Sequence, residues 1–270
     1  MPSPKAAEIR PYRGKPTIHV DGEPMAPFFY ALTHAYGGRW SWEEVPARNL
    51  RIYGELGVRL FQVDLYFEDI YPEGTDSLDM DKARRQVRGV TEACPGANVV
   101  VRVHVNAPFW WNTQHPEECT RYADTEVEDR RYGPPHNNED GDPDACLRAS
   151  LASKRWRAEA TTRLQEFCER LATSPEGGDV VGIHVCWGIY GEWHYWGFIR
   201  HDPDTGPAMT RHFREWLRAK YETNEALQQA WGTDEFTLDD APVPGTGERA
   251  NDHPSLLRKP DTERRVIDYF

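Results

Sequence analysis

Four short apolar runs, each leading toward a stretch with helical periodicity, constrain this chain more than any other feature. They are Ala26-Pro27-Phe28-Phe29-Tyr30-Ala31-Leu32, Val58-Arg59-Leu60-Phe61-Gln62-Val63, Val99 through Val105, and Val180 through Val185. Runs of this length without strict alternation suit strands covered on both faces, as in a parallel sheet. Between them lie helix signals. Ser41-Trp42-Glu43-Glu44 has capping-box spacing, with Ser41 at the cap and Glu44 three residues on, and Val45, Ile52, Tyr53 and Leu56 extend one apolar face. Ala83, Val87, Val90 and Cys94 mark a second helix, ended by Pro95-Gly96; Ala160, Leu164, Phe167, Cys168 and Leu171 mark a third. Phe213, Trp216 and Leu217 belong to a further helix, and Leu227, Ala230 and Trp231 to a short one after it.

Strand followed by helix, repeated, implies right-handed crossovers and parallel strands. No G-x-G-x-x-G or G-x-x-x-x-G-K-[ST] follows any strand, which disfavours the nucleotide-binding open sheets. The expected fold is therefore α/β, a (β/α)8 TIM-barrel type, with the first four strand–helix units in these residues. Residues 1–25 read as an N-terminal extension and hairpin, with Ile18 and Val20 alternating and Asp21-Gly22 at the turn. Residues 26–270 read as the N-terminal half of a barrel catalytic domain. The last stretch, Arg264 to Phe270, looks like the first turns of a helix, which suggests a fragment.

Charge narrows the partners. Lys and Arg number 32 against 44 Asp and Glu, a formal charge of −12. Such a surface repels phosphate backbones and anionic headgroups, so neither nucleic acid nor membrane is an expected partner. No apolar run approaches the ~20 residues that span a bilayer, and the polar opening does not resemble a signal peptide. The five cysteines are scattered, with no C-x-x-C pair. A reducing cytoplasm is the expected setting, and no H-x-H or H-E-x-x-H spacing points to a metal.

In a barrel the site lies at the C-terminal strand ends. Those ends carry His34, then Asp64, then Asn106, Trp110 and Trp111, then Trp187, Tyr190, Glu192, Trp193 and Trp196. Five of the ten tryptophans fall at two of these ends. Flat C–H faces of sugar rings suit aromatic planes, and sugar hydroxyls suit amides and carboxylates. Hydrolysis of a glycosidic bond needs a carboxylic acid to protonate the leaving oxygen. Between Val180 and Arg200 the one acidic residue is Glu192. Its aromatic neighbours are expected to dry it and raise its pKa, and Gly188 and Gly191 to let the backbone turn tightly around it. Asn106, whose amide can both donate and accept, suits a sugar hydroxyl. Asp64 could bond a substrate hydroxyl or an arginine such as Arg102, and the arginine is slightly preferred.

Several stretches resemble the N-terminal barrel half of family 42 β-galactosidases and their retaining-glycosidase relatives. Ile18-His19-Val20-Asp21-Gly22-Glu23-Pro24 is similar to the hairpin leading into those barrels, and Ala107-Pro108-Phe109-Trp110-Trp111 with His115-Pro116-Glu117 to a third-strand exit. Phe213 to Tyr221, continuing through Glu225-Ala226-Leu227 to Ala230-Trp231-Gly232-Thr233, parallels the segment after the fourth strand. The resemblance implies a retaining double displacement without a cofactor, a carbohydrate substrate and, in many members, a homotrimer. It also implies an Asn-Glu pair at the fourth strand end and a nucleophilic Glu on a seventh strand, which these residues do not contain. Here Trp187-Gly188 stands in place of Asn-Glu, and Glu192 follows in Tyr190-Gly191-Glu192-Trp193. The acid/base role passes to Glu192, and the shift points to a sister family in which β-mannosidase or another β-glycosidase activity stays open. The isolated chain is then expected to be inactive. The competing reading is a non-catalytic sugar-binding homologue that uses the same tryptophans.

Overall fold

The computed structural model describes residues 5–32, 38–125, 147–188, 191–198, 200–250 and 257–270. His34 and Tyr190 lie outside them. The described residues divide into two compact units: those up to Pro108 with Ala160–Trp193, and 109–125 and 147–159 with His194–Phe270. Among the described residues no helix is long and apolar enough to cross a membrane.

The first unit opens with a small antiparallel sheet of β1 (Ala7–Tyr12), β2 (Lys15–Val20) and β3 (Glu23–Met25). Both hairpins turn on two residues of positive φ, Arg13 (50°) with Gly14 (76°) and Asp21 (51°) with Gly22 (86°). That geometry matches the twist of paired strands. The expected hairpin at Asp21-Gly22 is present, and β1 adds a strand that the polar opening did not suggest.

A parallel sheet follows, in the order β4 (Phe29–Ala31), β5 (Leu60–Tyr66), β6 (Asn98–His104) and β7 (Val180–Cys186). Connecting segments contain α1 (Glu44–Glu55), the short α2 (Phe67–Ile70), α3 (Asp81–Ala93) and, before β7, α5 (Lys154–Ala172); α4 (Phe109–Gln114) lies between β6 and α5. The α/β parallel arrangement is as expected. Among the described residues the sheet is open and does not close into a barrel.

The strands are not apolar on both faces. Phe61, Val63 and Leu65 on β5 and Val99, Val101 and Val103 on β6 are fully buried. Alternation puts Gln62, Asp64, Tyr66, Arg102 and His104 on the opposite face. At the sheet edge, Phe28 and Phe29 remain 72% and 44% exposed.

The start of α1 departs from the capping-box reading. The helix begins at Glu44 after Glu43, whose carboxylate accepts from Trp40 N at 3.0 Å. Ser41 is taken elsewhere: its N–H donates to Gln86 Oε1 (2.8 Å) and its hydroxyl to the Gln86 carbonyl (2.7 Å). The buried face of α1 is accordingly Pro46, Leu50 and Gly54. Val45, Ile52, Tyr53 and Leu56, expected inside, are exposed. A tertiary contact with α3 has overridden the local signal.

In the second unit, α6 (Pro207–Tyr221) and α7 (Asn224–Trp231) form the expected helix–turn–helix, followed by α8 (Thr246–Arg249) and α9 (Arg264–Tyr269). Phe213, Leu217, Leu227, Leu238 and Ala241 make its core. Asp268 ties α9 down by accepting from Tyr221 Oη (2.6 Å) and Trp231 Nε1 (2.8 Å).

Gly89 gives a sharp test of the α3 contact. A Cβ there would lie 2.2 Å from Ser41 Oγ and 3.0 Å from the Ser41 carbonyl carbon. An interior helical Gly→Ala change ordinarily gains ~1 kcal/mol. Here Gly89→Ala is expected to lose about 1–3 kcal/mol through overpacking, read as a lower urea midpoint; an unchanged or raised midpoint would refute the contact.

Candidate active site

The site is built on the polar face of the parallel sheet, in the first unit. Register places Asp64 beside Arg102 and Tyr66 beside His104. Arg102 reaches across and donates twice to Asp64, Nε to Oδ1 at 2.8 Å and a terminal nitrogen to Oδ2 at 2.6 Å. This is the arginine pairing preferred from the sequence. Both residues are buried, at 3% and 9% exposure. His104 Nε2 sits 3.9 Å from Asp64 Oδ2, and its ring stacks on Tyr66 at 3.9 Å.

Burial works against the Asp64 charge, but His104 and Arg102 outweigh it and hold the carboxyl well below the usual carboxylate range. Burial also opposes the Arg102 cation, and Asp64 more than compensates, with Cys186 and Glu192 adding to the effect. For His104 burial wins, and its pKa is lowered toward the neutral ring. A second buried pair lies nearby in sequence: Arg39 donates to both oxygens of Asp69, at 2.6 and 2.8 Å, and Asp69 also accepts from Tyr66 N at 3.1 Å.

Beyond β7 the chain turns back over this face. Gly188 (φ 79°) donates its N–H to Asn106 Oδ1 at 2.9 Å. Gly191 (φ 74°) is packed so closely that a Cβ would lie 3.1 Å from both Cys186 Sγ and His104 Cε1. Trp193 N donates to the Trp187 carbonyl at 2.8 Å and closes the turn. Trp193 itself has φ of 62°, a conformation rare for a bulky side chain and typical of over-determined functional turns. The expected tight turn is present, and both glycines are needed for it.

The result is a layered site. Trp187 is 2% exposed and packs below, its ring 6.3 Å from that of Trp193, which is 51% exposed. Glu192 is exposed between them in sequence. The dry enclosure expected around Glu192 is not present: Glu192 and Trp193 are both exposed.

Asn106, Trp187, Glu192, Trp193 and Asp64 therefore share one unit. Trp110, Trp111 and Trp196 belong to the other. Trp111 is 1% exposed, with its indole N–H donated to Glu159 at 2.8 Å, and it packs on Trp156 at 4.9 Å. Trp196 is 3% exposed beneath the Arg148 guanidinium, 4.7 Å away. Trp110 is half-buried. In the sequence Tyr66 is one of several residues at the second strand end, His104 reads as a hydrogen-bonded strand histidine in preference to a metal ligand, and Cys186 carries no role. The signal was the alternation Gln62, Asp64, Tyr66 and Arg102, His104, masked by the valines between them. Among the described residues no three His, Cys, Asp or Glu side chains converge as metal ligands.

No protein-family model matches the chain. The fold resembles the β-galactosidase of the psychrophilic Marinomonas ef1 at 18% identity and TM-score 0.57, over 89% of this chain and 31% of that one. The β-galactosidase of the Antarctic haloarchaeon Halorubrum lacusprofundi aligns at 17% identity and 0.56, with the same coverage of 89% and 31%. The catalytic domain of β-amylase from Paenibacillus polymyxa aligns at 15% identity and 0.53, over 82% of this chain and 54% of that one. The chain thus spans under a third of each β-galactosidase. At these identities the likeness shows a shared fold.

The buried pair sets a pH dependence. A carboxyl whose folded pKa is depressed contributes stability above its unfolded pKa of ~3.9, lost as pH falls toward the folded value. Asp64→Asn is expected to cost about 3–5 kcal/mol near neutral pH by leaving Arg102 uncompensated. The variant should then lose less than wild type as pH falls below ~4, read by urea unfolding at the two pH values. Parallel acid profiles would show that Asp64 does not carry the dependence.

Proposed function

We propose that Glu192 is the acid/base carboxyl of a retaining β-glycosidase, β-galactosidase-like in its chemistry, with the nucleophilic carboxylate on a strand other than β4–β7. The observation that carries this reading is the Gly188–Trp193 turn. It spends two positive-φ glycines and a positive-φ tryptophan to set one carboxylate beside an exposed indole at the C-terminal end of a parallel strand. That end is where such sheets hold their chemistry. The β-galactosidases that share the fold lend the substrate class.

A sugar lying on the outer face of Trp193 would cover Glu192 and exclude water from it. Desolvation favours the neutral acid, so the carboxyl would hold its proton until the leaving oxygen takes it. The Asp64–Arg102 pair below is neutral as a whole, which limits its pull on that proton. In a retaining site the partner carboxylate, about 5–5.5 Å from the acid/base carboxyl, attacks the anomeric carbon. Glu192, now ionised, then removes a proton from the water that releases the sugar. Asn106 acts through the loop, holding Gly188.

The exposure of Glu192 is also what a sugar-binding protein without hydrolysis would show, and one experiment separates the two. The natural protein is assayed on p-nitrophenyl β-galactoside and β-mannoside beside its Glu192→Ala variant, with and without azide. The variant is expected to lose about 10²–10⁴-fold in kcat, with azide restoring turnover and yielding a β-glycosyl azide. Full activity in Glu192→Ala would remove Glu192 from the mechanism. A wild type that binds galactose and cleaves nothing would establish the binding reading instead.

A further inference from the structure

Residues Trp40 and Trp42 and the N-terminal part of α3 line an open cavity of about 580 Å³ that, among the described residues, shares none with the Glu192 loop. Lys82, Arg84, Arg85 and Arg88 line it, with Asp81 as the one carboxylate. Spacings of three and four residues bring these cations to one side of the helix. In a chain of net charge −12 this is a local reversal of sign.

The cations fall into two sets. Arg84 Nε donates to Glu176 Oε2 at 2.9 Å and Arg88 Nε to Oε1 at 3.0 Å, so two arginines share one buried carboxylate. Lys82 and Arg85 have no carboxylate partner among the described residues. Each lies instead over an indole: Lys82 Nζ is 5.9 Å from the Trp40 ring, and the Arg85 guanidinium 4.2 Å from that of Trp42. Trp40 and Trp42 stack on each other at 4.6 Å and 17°, and Arg39 covers Trp40 at 4.0 Å. Arg39, Trp40, Trp42 and Arg85 thus form one ladder. It holds the Arg85 guanidinium in place, so a ligand would not bear the cost of ordering it.

We propose that this cavity binds an acidic saccharide, its carboxylate or sulfate held by Lys82 and Arg85 and its ring against the edges of the two indoles, whose faces the ladder fills. The size suits a few sugar units. The acidic remainder of the surface disfavours a long polyphosphate. The choice of a saccharide rests on the glycosidase reading, whereas the cationic, aromatic cavity does not.

The test titrates the natural protein by calorimetry with trigalacturonate, a sulfated disaccharide, neutral galactotriose and inorganic phosphate. The same titrations are run on Lys82→Glu/Arg85→Glu, on Lys82→Gln/Arg85→Gln and on Trp42→Leu, each checked for folding by circular dichroism. Trigalacturonate or the sulfated sugar should bind, whichever is stronger naming the acidic group. Binding should weaken about tenfold or more in the charge-reversed variant, less in the neutralised one, and measurably in Trp42→Leu. Unchanged binding in both charge variants overturns the proposal, as does galactotriose binding equally well. Phosphate competing as strongly as either acidic sugar would overturn the saccharide assignment. Hydrolysis of p-nitrophenyl glycosides is followed in parallel. Absent hydrolysis with charge-sensitive sugar binding would sink the glycosidase reading and leave the cavity standing; active enzyme with charge-insensitive binding would do the reverse.

Discussion

Asp64 and Arg102 face each other across two parallel strands with almost no access to water, and the first unit is arranged around keeping them paired. Either charge alone in that position would cost several kcal/mol, since the effective penalty for burying an ion is that large. Two hydrogen bonds at 2.8 and 2.6 Å satisfy the geometry of both groups. The pair also fixes register. A slip of one residue between β5 and β6 would send one of the charges into the layer of Phe61, Val63, Val101 and Val103, where nothing could neutralise it. The pair therefore adds specificity to a sheet whose cohesion comes from its other, apolar face.

A polar sheet face needs a polar or very close cover, and the segment after β7 supplies one. Main chain at Gly191 approaches His104 and Cys186 so closely that a Cβ there would lie 3.1 Å from each. Asn106 satisfies the Gly188 N–H, and Trp187 fills the space below Trp193. The position of Glu192 follows from these contacts. It follows the closely packed Gly191, between the Gly188 N–H held by Asn106 and the Trp193 N–H held by the Trp187 carbonyl.

Much of this was legible in the sequence, and the parts that were not share one cause. The parallel strands, α3, the α6–α7 pair and the tight Gly188–Gly191 turn all follow from local signals: apolar runs, helical spacing and turn glycines. What failed depended on contacts between distant residues. Ser41 looked like a helix cap, but Gln86, forty-five positions away, claims both its N–H and its hydroxyl. With the cap moved to Glu43, the helix rotated its expected apolar face outward. Likewise Trp111 reads as a barrel-mouth platform until Glu159 and Trp156 are seen to hold it inside. A tryptophan near a strand end carries no local mark that separates a sugar platform from a core residue.

The shared fold and the divergent loop pull the functional argument in different directions, and the loop weighs more. A parallel sheet with site-bearing strand ends hosts many chemistries, so likeness at 15–18% identity narrows the fold and little else. Loop residues make the chemistry, and here the Asn-Glu dipeptide implied by the family resemblance is replaced by a longer turn with its carboxylate four residues after Gly188. With this longer turn Glu192 is exposed instead of enclosed. An acid catalyst in that position depends on its substrate to create the dry surroundings that an enclosed site has ready-made. Proton transfer would then be coupled to ring binding on Trp193, and a substrate too small to cover both groups would be bound without being cleaved.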